Sequence, residues 1–141
     1  MGRIMAIDYG KQRVGLAVTD PSKIIATPLA AVRTPEVLSF LQQYLQREDV
    51  EALVVGLPKR LDNTASDMTK TVNTFIKSLK KHFPEQRIFE QDERYTSKIA
   101  QDSLVQGGFK QKDRRHKEHV DKLSATLILQ SFLKRLNRDT L

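Results

Sequence analysis

The run Ala52–Leu57 (Ala-Leu-Val-Val-Gly-Leu) constrains the fold more than any other stretch of the chain. Six residues without polar alternation, closed by Pro58, fit a strand buried on both faces. Such a strand belongs in a sheet with parallel pairing, because crossover connections are what place cover on both sides. The flanking sequence supplies that cover. Upstream, Val37, Leu38, Leu41, Tyr44 and Leu45 recur at helical spacing, with Thr34 placed to cap the helix and Pro35 at its first position. Downstream, Thr64 and Asp67 resemble a capping box with Asp in place of Glu. Met68, Val72, Phe75, Ile76, Leu79 and Phe83 then mark a long amphipathic helix, and Arg87–Gln91 a further strand.

The N-terminal third has a different rhythm. Arg3–Ile7 reads as a strand ending at Asp8, Tyr9–Arg13 as a polar turn, and Val14–Thr19 as the second arm of a hairpin. Ile24–Val32 is a third strand that Pro28 confines to an edge or a bend. Beyond Gln91, a helix is expected from about Thr96 to Gly107, then a basic segment Lys110–His119. A final helix carries Val120, Leu123, Leu127, Ile128, Phe132 and Leu136. The predicted order is β-β-β-α-β-α-β-α-α. It implies an α/β fold: a mixed five-stranded sheet flanked by helices, antiparallel at first and parallel later. At 141 residues, without repeats or a Gly/Pro/Ser linker, residues 1–141 are expected to form a single domain.

Composition narrows the chemistry. The chain has no cysteine, which excludes disulfides, thiolate zinc sites and cysteine nucleophiles. No apolar run approaches the ~20 residues of a membrane span, and Met1–Met5 lacks a signal-peptide core. A cytoplasmic protein without a membrane partner is expected. Lys and Arg total 24 against 17 Asp and Glu, and the net charge of +7 attracts polyanions.

Three acids stand where a site would form. Asp8 follows the first strand, Glu93 follows the last beside Asp92, and Asp121 lies at the start of the final helix. Ligands of open sheets bind beyond the carboxyl ends of strands. Clustered carboxylates without His or Cys suit hard cations such as Mg²⁺ or Mn²⁺, and a pair of such ions supports phosphodiester cleavage. Each acid also has a plain structural role open to it. Asp8 can shape the turn at Tyr9-Gly10, Glu93 can pair with Arg94, and Asp121 can complement its helix dipole.

The cations fit a phosphate backbone. Lys11 and Arg13 lie between Gly10 and Gly15, and Lys59 and Arg60 follow Gly56-Leu57-Pro58. Arg94 follows Glu93. Lys110, Lys112, Arg114, Arg115 and Lys117 face only Asp113 and Glu118 within the basic segment, which is expected to be a loop that contacts phosphates or else a solvated face. His116 and His119 are either proton carriers or idle surface residues. The six Phe and three Tyr fall mostly on apolar helix faces, so base-specific reading is not expected.

Four segments, in order, resemble the YqgF family, also called RuvX. Asp8-Tyr9-Gly10-Lys11-Gln12-Arg13-Val14-Gly15 is similar to its opening, and Val54-Val55-Gly56-Leu57-Pro58 to its Gly-Leu-Pro loop. Asp92-Glu93-Arg94-Tyr95-Thr96-Ser97 is similar to its Asp-Glu-Arg strand end, and Val120-Asp121-Lys122-Leu123-Ser124-Ala125 to its final-helix signature. Asp62-Asn63 departs from the family's Asp-Gly pair, a change the turn tolerates. The resemblance implies a ribonuclease H-like fold related to the RuvC resolvases. It also implies a cytoplasmic nuclease that matures the 5′ end of 16S rRNA on ribosome precursors, or resolves Holliday junctions. Carried over, Asp8, Glu93 and Asp121 are the catalytic acids and metal ligands; adjacent strand residues point to opposite faces, so only one of Asp92 and Glu93 is expected to reach the metals. The implied partners are structured RNA or branched DNA, and both monomer and dimer are open. Two other classes compete: a nucleotide-binding phosphotransferase, since Asp-Tyr-Gly before a hairpin also resembles actin-like kinases, and a non-catalytic RNA-binding ribosome-assembly factor.

Overall fold

The computed structural model describes residues 2–57, 67–92 and 116–140. The elements are β1 (Arg3–Tyr9), β2 (Arg13–Thr19), β3 (Ala26–Arg33), α1 (Val37–Arg47), β4 (Val50–Leu57), α2 (Asp67–His82), β5 (Arg87–Asp92) and α3 (His116–Thr140). The strands form one five-stranded sheet in the order β3-β2-β1-β4-β5. β1 pairs antiparallel with β2, and β2 with β3, while β1–β4 and β4–β5 are parallel. The apolar run Ala52–Leu57 is buried throughout and lies between two parallel neighbours, as its lack of alternation requires. Among the described residues no helix is long and apolar enough to cross a membrane.

The alternation of each strand divides the core in two. Met5, Ile7, Leu16, Leu53 and Val55 point to the side covered by α1 and α2, where they meet Leu41, Phe75, Ile76 and Leu79. Ile4, Ala6, Ala17, Ala52 and Val54 point to the other side, against Ala125, Ile128, Leu129 and Phe132 of α3. Three of the five sheet residues under α3 are alanine, so this face is low. The bulk that fills the layer comes from the helix.

Pro28 lies in β3, an edge strand, where a missing N–H costs no ladder bond on the open side. Register shifts beside it: Leu16 faces Ala30 while Ala17 faces Pro28. Two boundaries differ from expectation. Thr34 does not cap a helix. It opens a 3₁₀ turn, Thr34–Glu36, before α1 begins at Val37, and its hydroxyl donates to the Gly10 carbonyl at 2.7 Å. A carbonyl of the β1–β2 turn, distant in sequence, has taken the hydroxyl that a cap would have used. The final helix also starts at His116 rather than Val120, so Lys117 is helical and not in a loop. Lys117 and Glu118 are good helix formers and no Gly or Pro follows to stop the turn. Thr64 and the helix expected over 96–107 lie outside the described residues.

Candidate active site

β1, β4 and β5 run in the same direction, so their carboxyl ends at Tyr9, Leu57 and Asp92 share one edge of the sheet. The antiparallel pairings bring the start of β2 at Arg13 and the end of β3 at Arg33 to that same edge. Asp8 sits there, half-buried, opposite Gly15 of β2. Its parity is that of Ile4 and Ala6, which places it on the α3 face. Tyr9, one residue on, turns to the other face and stacks on Phe75 of α2 with ring centroids 4.2 Å apart. The carboxylates held below their ordinary range by hydrogen bonding, Asp20 and Glu51, lie at the opposite edge.

A tight turn joins β1 to β2 through Lys11 and Gln12. A Cβ on Gly10 would stand 2.5 Å from the Arg13 carbonyl oxygen, so only glycine fits. Thr34 holds the turn from β3: its hydroxyl bonds the Gly10 carbonyl and its N–H donates to the Gln12 carbonyl at 3.0 Å. Lys11 is exposed and Arg13 partly so. Together with Gln12, Arg33 and Pro35 they line a cleft of about 570 Å³.

On β5 the parity is equally plain. Phe89 faces α3 and meets Phe132 at a centroid distance of 5.2 Å, whereas Ile88 packs into the α1/α2 core. Gln91, two residues after Phe89, accepts a hydrogen bond from Arg135 of α3 at 3.2 Å, and the Glu90 carbonyl accepts another. Arg135 also lies over the Phe132 ring, 5.4 Å from its centroid. β5 pairs Gly56 with Gln91 and Leu57 with Asp92.

The structure thus places Asp8, Lys11 and Arg13 at one edge. Asp92 ends β5 at that edge, and Asp121 lies in α3, four residues before Ala125 and seven before Ile128, both buried against the sheet. It precedes Arg135 by 14 residues, about 21 Å of helix axis. Glu93, Lys59, Arg60, Arg94, Lys110, Lys112, Arg114 and Arg115 lie outside the described residues. Among the described residues no three His, Asp or Glu side chains are grouped closely enough to hold a metal. Two arginines escape a reading of the sequence: Arg33, which comes to this edge beside Arg13 only through the β2–β3 register, and Arg135, which ties α3 to β5 through partners more than 40 positions away. The strand parity that ends at Arg33 was the one available signal for the first.

The family model for RuvX, described as "Holliday junction resolvase", matches residues 2–135. A protein of Amoebophilus asiaticus named "Putative pre-16S rRNA nuclease" is 57% identical over 138 residues, which cover 98% of each chain. One of Christiangramia forsetii with the same name is 49% identical, covering 94% of this chain and 98% of its own. Among solved structures, Thermus thermophilus RuvC in complex with a Holliday junction substrate matches with a TM-score of 0.55 at 17% identity, over 96% of each chain. That likeness identifies the fold as the ribonuclease H-like one.

Proposed function

The chain belongs to the RuvX family and is a nuclease, and from that premise we propose that it hydrolyses phosphodiester bonds at the 5′ end of precursor 16S rRNA with the help of bound divalent cations. The observation that carries this is the place of Asp8: at the carboxyl end of β1, half-buried, on the face that α3 covers. Ligand-binding residues of open sheets come from such strand ends. Phe89 and Gln91 both meet α3 from β5, and Glu93 belongs to the segment that resembles the family's Asp-Glu-Arg strand end. Asp121 belongs to α3, at the spacing of the buried stripe. Asp8, Glu93 and Asp121 are therefore assigned as metal ligands, in one domain spanning 1–141.

The donors suit the group. Carboxylate oxygens in a chain without cysteine are what Mg²⁺ or Mn²⁺ takes, and Asp8 stands at a polar edge outside both apolar cores. When bound, such ions supply an acidified water and neutralise charge on the leaving oxygen. The protein's own residues do the rest. Asp8, fixed by the β1–β2 register, sets the point of attack, and Lys11 and Arg13 hold the phosphate backbone beside it. The net charge of +7 raises the local concentration of the polyanion. The high identity to relatives named for pre-16S rRNA favours RNA. The family description favours a four-way DNA junction as a second substrate.

The test incubates the protein with labelled RNA spanning the 16S 5′ leader and with junction DNA, each with Mn²⁺, Mg²⁺ or chelator, alongside Asp8→Asn and Asp121→Asn. Cleavage of the RNA that needs the metal and is lost in both folded variants is expected. Native-rate cleavage by Asp8→Asn removes Asp8 from the ligand set, and binding without cleavage under all conditions returns the protein to the class of assembly factors. Cleavage of the junction alone moves the substrate to DNA.

A further inference from the structure

Arg33 has no place in the acid set, yet the sheet delivers it to the same edge. It is the last residue of β3 and stands directly opposite Arg13 across the β2–β3 ladder. Opposed residues of antiparallel strands have Cβ atoms about 4.5–5.5 Å apart on the same face of the sheet. That face is settled by the next pair in the ladder. Val14 and Val32 both pack into the α1/α2 core, so Arg13 and Arg33 share the other side with Asp8. Like charges directly opposite contribute nothing favourable to a sheet. Both arginines line a cleft with Lys11, Gln12 and Pro35, and Arg33 is exposed.

The mounting is rigid where it matters. Thr34, adjacent to Arg33, bonds the Gly10 and Gln12 carbonyls of the turn that carries Lys11. The backbone positions that carry the three cations are thereby set relative to one another before any ligand arrives, which reduces the ordering cost of binding. Guanidinium groups match a phosphate's oxygens through paired N–H donors, a geometry that lysine alone does not offer.

We infer that Arg13 and Arg33 together grip one phosphate of the substrate backbone, with Lys11 beside them. β3 lies two strands from β1, about 10 Å at the usual strand spacing, so the gripped phosphate is a neighbour of the one cut at Asp8. Arg33 is a positioning residue: it fixes the path of the strand across the sheet edge and touches no reacting atom. The inference rests on the nuclease reading above and adds the path of the nucleic acid to it.

The experiment measures binding of a labelled mixed-sequence single-stranded RNA in chelator, as a function of salt, for the native protein, Arg33→Ala, Arg13→Ala and the double variant. Lys81→Ala, on α2 at the far edge, is the control. Losing one phosphate contact lowers the slope of log affinity against log salt by about 0.7, which is about a 5-fold loss of affinity at 0.1 M salt. Arg33→Ala is expected to show that change, and the double variant is expected to show little more than one contact's worth, because both arginines serve one phosphate. In metal, Arg33→Ala is expected to raise KM with kcat kept. An Arg33→Ala slope equal to that of the native protein, in a native protein that binds and cleaves, overturns the inference and leaves the nuclease reading intact. A double-variant change near twice the single one overturns the shared grip. A native protein that neither binds nor cleaves overturns both.

Discussion

Replacing Phe132 by alanine tests how α3 is held to the sheet, and with it the position of Asp121. Phe132 is 1% exposed and meets Phe89 of β5 at 5.2 Å. Phe→Ala in a core costs about 3–5 kcal/mol, depending on how far the surroundings collapse into the void. Here they collapse little. The sheet beneath α3 presents Ala6, Ala17 and Ala52, whose side chains are too short to move inward, and their strands are locked in the ladder. At least the middle of the range is therefore expected, about 4 kcal/mol. With an unfolding entropy of about 2.1 cal/mol/K per residue over 141 residues, that loss lowers Tm by about 13 °C. Urea unfolding followed by circular dichroism reads the free energy, and calorimetry the Tm. Combining Phe132→Ala with Phe89→Ala should recover about 0.5–1.5 kcal/mol of coupling, the worth of an aromatic pair beyond its buried area. A loss under about 2 kcal/mol with an unchanged m-value would refute the account of a face that cannot collapse. At a temperature where the variant is fully folded, cleavage should still fall, because α3 carries Asp121.

Glu93→Gln should harm cleavage more than Asp92→Asn, since the resemblance of Asp92-Glu93-Arg94 to the family's strand end favours Glu93 as the ligand; equal losses in folded variants, read as initial rates in Mn²⁺, count against the choice. Replacing Arg114, Arg115 and Lys117 by alanine should weaken binding of all sequences alike and lower the salt slope by at most about 0.7–0.9 per lost contact; an unchanged slope in a filter-binding titration assigns them to a solvated face. The Asp20 carboxyl is held below its ordinary value of 3.8 by the N–H groups of Ile25 and Ile24, which donate to it at 2.8 Å. A depressed carboxyl stabilises the fold above its unfolded value and loses that contribution as pH falls through the folded one. Asp20→Asn should thus lower the urea midpoint at pH 7 and leave it near that of the native protein at pH 2, and an equal effect at both would show that charge plays no part.

Periodicity exposed what depends on local order. The unbroken run Ala52–Leu57 marks a strand with neighbours on both sides, and Pro28 marks an edge, because burial and a missing donor act at the residue itself. Asp8, at the end of a strand, is legible for the same reason. Partners chosen across the fold are not. Thr34 has the residue type and the following proline of a helix cap, but the carbonyl that claims it belongs to Gly10, 24 residues earlier. Arg33 meets Arg13 only after a bulge at Leu29 sets the count between β2 and β3. Arg135 stands 45 residues from the Glu90 carbonyl it binds. Lys117 is helical because helix formers propagate into a segment whose charge suggested a loop.

The place of Asp8 and the stability of the sheet follow from a single constraint. A strand slipped by one residue sends each side chain to the opposite face. In β1 that would carry Asp8 from the α3 side towards the core that holds Ile7, Leu53 and Phe75, where an unpaired carboxylate is costly, and would lift Met5 and Ile7 out of it. The turn enforces the count as well. Gly10 approaches the Arg13 carbonyl too closely for any side chain, and Thr34 fastens both ends of the turn from β3. Apolar alternation along β1 and β2 penalises the slipped register, and the glycine and threonine fix the correct one. The residues assigned to phosphate, Lys11, Arg13 and Arg33, are set by those same contacts. Selection for a packed sheet and selection for a carboxylate flanked by cations therefore act on the same few positions, from Asp8 to Gly15 and at Arg33 and Thr34.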